Sequence, residues 1–291
     1  MNRFQLFIIL FFITLCIQSQ KNEVKIKTTK LSEQVYMLKG SGGNIALFVG
    51  NDAVFMIDDQ FAPLTPKILK AIKKITVKEV KYLVNTHWHG DHTGGNENMQ
   101  KEGAIILAHE NVRKRMSVDQ IVRGKLKKAS IKEALPVITF TDDLMMHINN
   151  EDVFISHIHN AHTDGDALVY FTNNNVLHTG DAYFQGKFPY IDIDSGGSID
   201  GYIEGINKMI LLINDDTKIL PGHGKVSNRK ELVVYKKMLI DLKEKIKTEI
   251  EKGKTLEQVK LNKEITKNYT SFNGWITEQK IRVAIYKSLM K

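Results

Sequence analysis

The first half of the chain alternates short apolar runs with breaks rich in glycine and asparagine. The runs cover residues 34–38, 44–49 and 53–57, and the breaks fall at residues 40–43 and 50–51. Apolar runs of this length between turn-forming residues are typical of consecutive strands joined by tight turns. We therefore expect the domain to begin with a meander of strands.

A helix is predicted after this meander. Thr65 is a suitable N-cap, and Pro66 occupies the first helical position, where the missing N–H of proline leaves no bond unmade. The inner face of the helix is formed by apolar residues at helical spacing: Ile68, Leu69, Ile72 and Ile75. The apolar segment 80–84 then predicts a buried strand, which ends at Asn85.

The second half repeats this order of strands and helices. Four apolar segments predict strands: residues 152–159, 167–171, 176–178 and 218–220. Before the last of them, isoleucines recur at helical spacing: Ile199, Ile203, Ile206, Ile210 and Ile213. The C-terminal segment, about residues 228–291, carries further apolar stripes of helical period and is expected to be helical.

Two strand-rich halves, each followed by helices, predict an α/β (α+β) fold in which two sheets pack face to face with helices outside. A length of 291 residues suits one such large domain. Neither a short internal repeat nor a linker rich in Pro, Gly or Ser interrupts it. We assign the domain to residues 21–291.

The first twenty residues differ in composition from the rest. Arg3 precedes an almost purely apolar run at 6–17, which is too short to span a bilayer but suits the core of a signal peptide. We predict a signal peptide at residues 1–20, cleaved near residues 18–20, and a periplasmic or secreted product without a stable membrane span. Because Cys16 is the only cysteine, the mature chain would contain neither a disulfide nor a thiolate ligand.

The formal net charge is +8, with a pI near 9.2. Such a surface attracts anionic substrates, nucleic acid or membrane lipid, or is simply a solvated exterior rich in lysine. The basic segment 113–128 allows the same two interpretations, a guide for an anionic substrate or a solvated helix face, and the second is favoured. We expect a small-molecule substrate and no nucleic-acid partner.

The segment His87-Trp88-His89-Gly90-Asp91-His92 carries the clearest chemistry. It brings three imidazoles and a carboxylate into six residues directly after a predicted strand. A lone His pair carries little weight, but four potential ligands in six residues indicate a metal site, and this donor set favours zinc or a similar metal. Further candidates follow later strands in turn-rich loops, where scaffolds place reactive groups: His162, Asp181 and His223.

These residues, in this order, resemble the metallo-β-lactamase superfamily. The resemblance runs from about Val35 to His223 and implies a four-layer αββα sandwich with two metals at one edge. It implies one metal held by His87, His89 and His162 and a second metal held by Asp91, His92 and His223. It also implies that the carboxylate of Asp181 bridges the two metals.

The ligands implied for the second metal indicate which branch of the superfamily the chain resembles. The best-known β-lactamases use a cysteine there, and another β-lactamase branch lacks the bridging carboxylate. The fuller set is similar to the glyoxalase-II, lactonase and related hydrolase branches. It implies a binuclear zinc hydrolase, with iron or manganese as alternatives, in which a metal-activated water attacks the carbonyl of a small ester, thioester, lactone or lactam. Asp91 would also orient this water or relay a proton.

Two other functions remain open at the level of sequence. One is a phosphodiesterase or nuclease of the same superfamily, whose basic surface would help to hold the phosphates of its substrate. The other is a non-enzymatic periplasmic metal-binding accessory protein. The complete set of seven ligands favours the hydrolase over both.

Several residues outside the seven are secondary candidates. Asp58 or Asp59 would orient a ligand imidazole or close a turn. Candidates for the pocket entrance or for substrate contact are Phe61, Pro63, Tyr183, Lys187 and Tyr190. The remaining histidines are expected to be structural: His109, His147, His157, His159 and His178. His157 and His159 lie so close to His162 in sequence that one of them could be mistaken for the ligand.

Overall fold

The computed structural model describes residues 23–122 and 124–291, so the predicted signal peptide at residues 1–20 lies outside the described residues. The strands, in chain order, are β1 (Lys27–Lys30), β2 (Val35–Lys39), β3 (Ile45–Val49), β4 (Val54–Ile57), β5 (Val80–Asn85), β6 (Ile105–His109), β7 (Gln120–Val122), β8 (Lys125–Lys127), β9 (Ile138–Phe140), β10 (Asp143–Ile148), β11 (Glu151–Ile158), β12 (Asp166–Phe171), β13 (Val176–His178) and β14 (Lys218–Leu220). The helices are α1 (Thr65–Ile72), α2 (Gly90–Thr93), α3 (Asn96–Lys101), α4 (Glu110–Met116), α5 (Ile199–Leu212), α6 (Arg229–Glu251), α7 (Leu256–Leu261) and α8 (Glu278–Leu289). None of these helices has the length and apolar character that a membrane crossing requires.

The larger sheet runs in the order β1-β2-β3-β4-β5-β6-β9. The first four strands pair antiparallel, as the meander predicts. From β4 onward the pairings are parallel, and parallel neighbours need a crossover between them. Helix α1 provides the first crossover, and its Ile68 and Ile72 share one apolar cluster with Leu83 and Ile106 of the sheet.

The smaller sheet runs in the order β10-β11-β12-β13-β14. Its pairings are antiparallel except the last, in which β13 and β14 lie parallel, with His178 opposite Leu220. Helix α5 connects these two strands and covers the outer face of the sheet. Tyr202 of α5 and Leu239 of α6 join Leu177 in the apolar cluster on this side.

The inner faces of the two sheets form the central core. Phe171 of the smaller sheet meets Phe48 and Phe55 of the larger sheet, with ring centroids 4.9 Å and 6.1 Å apart. Strands β4 and β12 are buried along their whole length because helices cover the faces that point away from this core. The four layers are therefore helix, sheet, sheet and helix, and the predicted αββα sandwich is confirmed.

Two local predictions are corrected. Thr65 is the first residue of α1 rather than its N-cap, because a 3-10 turn at Ala62–Leu64 leads directly into the helix. The basic segment 113–128 is not one helix face: α4 ends at Met116, and β7 and β8 follow as a hairpin around Gly124. Gly124 adopts a φ of +74°, a left-handed conformation that favours glycine and that a continuous right-handed helix does not contain.

The sheets are joined at one edge by backbone hydrogen bonds between their strand ends. The amide of Ala167 donates to the carbonyl of Thr86 at 2.8 Å, and the amide of Asn44 donates to the carbonyl of Gly222 at 2.7 Å. At the same edge, His157 of β11 stacks on His109 of β6 with ring centroids 3.8 Å apart. The loops that follow β5, β11, β13 and β14 thereby come together.

The stacked pair predicts an acid-sensitive fold. Burial, reinforced by His109, lowers the pKa of His157 from 6.5 to about 4. Between these pH values the unfolded chain binds a proton that the folded chain does not, so the stability conferred by neutral His157 is fully present above pH 6.5 and is lost as pH falls toward 4. We expect this group alone to lower the free energy of unfolding by roughly 2–3 kcal/mol across that window.

Urea unfolding of the wild type and of His157→Gln, each at several pH values in the same buffer, measures the effect. The wild type should lose more stability on acidification than the variant, whose side chain does not titrate. Parallel pH dependence in the two proteins would contradict the prediction.

Candidate metal centre

The motif at residues 87–92 begins where β5 ends, and its path is fixed by Asp58. One carboxylate oxygen of Asp58 accepts a hydrogen bond from the Thr86 amide at 2.8 Å, and the other accepts one from the Thr86 hydroxyl at 2.8 Å. The motif then turns into the short helix α2, which starts immediately after His89. His87, His89, Asp91 and His92 thus stand on a sharp turn at the joined edge of the sheets.

The second half contributes three loops to the same place. After β11, the Asp166 carboxylate accepts hydrogen bonds from the amides of His162 and Thr163 at 2.6 and 2.8 Å and so fixes the His162 loop. Asp181 follows β13 in a 3-10 turn. His223 follows β14, and its neighbour Gly222 packs so closely that a Cβ there would lie 2.0 Å from Asp181 Oδ1.

All seven predicted ligands meet in what we call the His/Asp cluster: His87, His89, Asp91, His92, His162, Asp181 and His223. Asp181 lies at its centre, with carboxylate oxygens 3.3 Å from His92 Nε2 and 3.4 Å from His223 Nε2. His162 Nε2 lies 2.8 Å from His89 Nδ1. The cluster therefore brings five imidazoles and two carboxylates within the reach of shared cations.

Three subsets of the cluster have ligand atoms close enough to hold a single ion. They are His87, His89 and His162; His87, His92 and Asp181; and Asp91, His92 and His223. The first and third correspond to the two sets implied by the family resemblance, and the second places Asp181 between them. The donor types, imidazole and carboxylate, suit zinc and related divalent ions.

Two observations indicate that this cluster fits a cation. His87 Nε2 is buried without a hydrogen-bond partner, which is costly for a nitrogen unless another group uses its lone pair. Although burial opposes the charged form, the carboxylates of Asp181, Asp58 and Asp91 raise the pKa of His92 well above its usual value. The surrounding carboxylates thus favour a positive charge, which divalent ions would supply.

The outer ring nitrogens of the histidines are held by acceptors. Asp58 Oδ2 lies 2.7 Å from His92 Nδ1, and Asp192 Oδ2 lies 2.8 Å from His89 Nε2. The carbonyl of Tyr190 accepts from His162 Nδ1 at 2.6 Å. An acceptor on the outer nitrogen fixes the ring and turns the lone pair of the other nitrogen toward the cluster.

Asp58 therefore fills the orienting role that the sequence offered to it or to Asp59, whereas Asp59 accepts from the amide of Gly95, 36 residues away, at 2.9 Å. Asp192 was missed by sequence reasoning. Burial opposes its ionisation, but the bond to His89 lowers the pKa of Asp192 to about 2. The one signal that could have found Asp192 is its position as an acidic residue in the loop after Asp181, and that signal is weak by itself.

An open cleft of about 630 Å³ leads to the cluster. Phe61, Lys187 and Tyr190 line it, in line with the sequence expectation, whereas Pro63 does not. The expectation for Tyr183 is corrected, because its ring is buried in the core and its hydroxyl pairs with Ser227 Oγ at 2.9 Å. Other wall residues were not anticipated: Val122, Phe184, Phe188, Trp275 and Ile276.

The remaining histidines lie outside the His/Asp cluster. His109 and His157 form the stacked pair at the sheet edge. The ring of His178 lies between the carbonyl of Asn44 and the amide of Gly180. His147 and His159 are exposed.

Comparison with known proteins gives a consistent result. The sequence model of the metallo-beta-lactamase superfamily matches residues 38–223, which include the whole His/Asp cluster. The chain is 29% identical over 173 residues to a hydroxyacylglutathione hydrolase of Pelagibacter ubique, with 58% of this chain and 62% of that protein covered. It is 22% identical over 234 residues to the metallo-beta-lactamase type 2 of Bacteroides fragilis, with 77% and 89% covered.

Among solved structures, a metallo-beta-lactamase from Pontibacter korlensis superposes with a TM-score of 0.63 at 19% identity, covering 75% of this chain and 100% of that one. The chain spans 62% and 57% of the length of two hydroxyacylglutathione hydrolases that it matches. The family match nevertheless covers more than half of the present chain, from the end of β2 to the last residue of the cluster. The protein therefore belongs to the metallo-β-lactamase superfamily.

Proposed function

We propose that this protein is an exported binuclear metallo-hydrolase, with zinc as the favoured metal, that cleaves a carbonyl bond in a small ester, thioester, lactone or lactam. In this proposal His87, His89 and His162 would hold one ion. Asp91, His92 and His223 would hold the other, and Asp181 would contribute to both. The convergence of six other ligand side chains around buried Asp181 at the end of an open cleft carries the proposal.

The relatives support the choice of reaction. They are named for hydrolysis of a hydroxyacylglutathione and of a β-lactam, and both of these are carbonyl compounds. When bound, a pair of divalent ions supplies Lewis-acid polarisation of a carbonyl and a water that ionises near neutral pH. No nucleophilic serine or cysteine is then required of the protein.

The protein's own contribution is to orient donors and to hold charge. Asp58 and Asp192 keep His92 and His89 in the tautomers that present a lone pair to the cluster. One oxygen of Asp181, Oδ2, lies 3.6 Å from His162 Nε2 and 3.4 Å from His223 Nε2 and so reaches both halves of the cluster. This arrangement suits a carboxylate shared between two ions.

Asp91 is the proposed catalytic carboxylate. It lines the cleft, and its oxygen lies 3.2 Å from His223 Nε2. Although burial opposes ionisation, His92 and His223 hold the pKa of Asp91 below its usual range. Asp91 is therefore an acceptor that orients the attacking water through a hydrogen bond and takes part in passing its proton toward the leaving group.

The first prediction concerns metal content. Protein purified without chelator and supplied with zinc should contain about two ions per chain, because the cluster offers two complete ligand sets. Elemental analysis of the dialysed protein measures this stoichiometry. A value near zero after metal is added back would refute a metal site.

The second prediction separates the bridging carboxylate from a nearby histidine. Asp181→Ala should lose metal and lower hydrolysis by about 10- to 100-fold or more, since removing one ligand usually costs that much. His159→Ala is the matched control, because His159 is exposed and outside the cluster. It should keep both metal and activity.

Activity and metal content of both variants decide between the roles, with circular dichroism as the folding control. Retention of metal and turnover by Asp181→Ala, together with metal loss in His159→Ala, would show that the ligand assignment in the second half is wrong.

The third prediction concerns export. Arg3 and the apolar run at residues 6–17 should direct cleavage and transport. Mass spectrometry of the periplasmic or secreted product should show an N-terminus near Gln20 or Lys21. Intact Met1 on protein from a soluble cytoplasmic fraction would exclude export by this segment.

A further inference from the structure

The walls of the cleft differ in character from its floor. The floor carries the ligands His89, Asp91, Asp181 and His223. The walls are almost entirely apolar or aromatic, with one lysine among them: Phe61, Val122, Phe184, Lys187, Phe188, Tyr190, Trp275 and Ile276. A metal site that served only a small polar substrate would not require such walls.

Aromatic rings form a continuous path from the cluster to the rim. The Tyr190 ring stacks on His89 with centroids 5.8 Å apart and an interplanar angle of 26°. Trp275 meets Tyr190 edge-on at 5.1 Å. Trp275 and Phe61 remain 53% and 40% exposed, so two large apolar side chains face solvent at the mouth of one cleft. Exposed apolar surface concentrated at a cleft is typical of a ligand site.

The segment that carries Trp275 is docked onto the loop after Asp181. The amide of Phe188 donates to the carbonyl of Phe272 at 2.9 Å. Lys187 Nζ donates to the carbonyl of Asn273 at 2.8 Å, and its stem lies against Gly274, where a Cβ would come within 2.9 Å of it. These contacts hold Trp275 in the wall of the cleft.

Trp275 and Ile276 lie beyond residue 223, where the match to the superfamily ends. The catalytic floor thus comes from the shared part of the chain, whereas this part of the wall comes from its C-terminal helical segment. A wall built outside the shared part is suited to determining which substrate is accepted, without altering the chemistry of the floor.

We propose that the Tyr190–Trp275 wall is an acyl-group subsite that selects hydrolysable carbonyl compounds whose acyl group bears a bulky apolar, preferably aromatic, substituent. This inference rests on the proposed hydrolase function. Aromatic rings in the wall complement an aromatic substituent, and burying such a group against them removes apolar surface of both partners from water. Trp275 is then a specificity-determining residue.

The test compares two thioesters of the same small thiol, one with an acetyl and one with a 2-naphthylacetyl group, by release of the thiol. The wild type should prefer the naphthylacetyl compound in kcat/KM, and Trp275→Ala should lower this preference by roughly tenfold. Trp275→Phe, which keeps a ring, should retain most of it. Leu261→Ala is the control, because it removes an exposed apolar side chain of the same C-terminal segment away from the cleft.

A binding measurement keeps this inference separate from the proposed function. Calorimetry with N-methyl-2-naphthylacetamide, in which an unstrained amide replaces the labile thioester, should show binding to wild type that weakens roughly tenfold in Trp275→Ala and is unchanged in Leu261→Ala. Trp275-dependent binding without turnover of either thioester would sustain the subsite and refute thioester hydrolysis at this site. Turnover with no preference for the naphthyl compound, and amide binding indifferent to Trp275, would overturn the subsite and leave the hydrolase intact.

Discussion

Burying the Asp181 carboxylate among five imidazoles is the interaction that organises this edge of the molecule. A buried carboxylate is costly unless positive charge and hydrogen-bond donors surround it. The ligands therefore converge from loops that follow strands of both sheets, and the backbone bonds between Thr86 and Ala167 and between Asn44 and Gly222 hold the two edges in register. Gly222 is required because Asp181 Oδ1 occupies the space that a Cβ would take.

The layers explain why such a site is rigid. Each sheet is covered by helices on one face and by the other sheet on the other, so the strands that precede the ligand loops are buried along most of their length. Close packing of this kind fixes the strand ends, and the strand ends fix the loops. Outer acceptors such as Asp58 and Asp192 then fix the individual imidazole rings.

Different parts of the chain supply the metal ligands and the wall of the cleft. The part shared with the superfamily, residues 38–223, contains the whole His/Asp cluster. The C-terminal segment packs on the smaller sheet through α6 and α8 and places Trp275 at the mouth of the cleft. A change in that segment can therefore alter the shape of the cleft without moving a ligand, which is how one scaffold serves many substrates.

The sequence by itself determined most of the strands and helices, because apolar periodicity is a local property, and the motif at 87–92, because it concentrates four candidate ligands within one turn. The four-layer sandwich and the complete set of seven ligands were implied by the resemblance to the superfamily. His162 was preferred over His157 because its loop matches the motif of that superfamily. Tertiary structure alone decided the rest: the β7–β8 hairpin, the core position of Tyr183, the orienting role of Asp192 and the wall formed by Trp275. The physical reason is separation along the chain, since His89 and Asp192 are 103 residues apart and no pattern in the sequence between them records that their side chains meet.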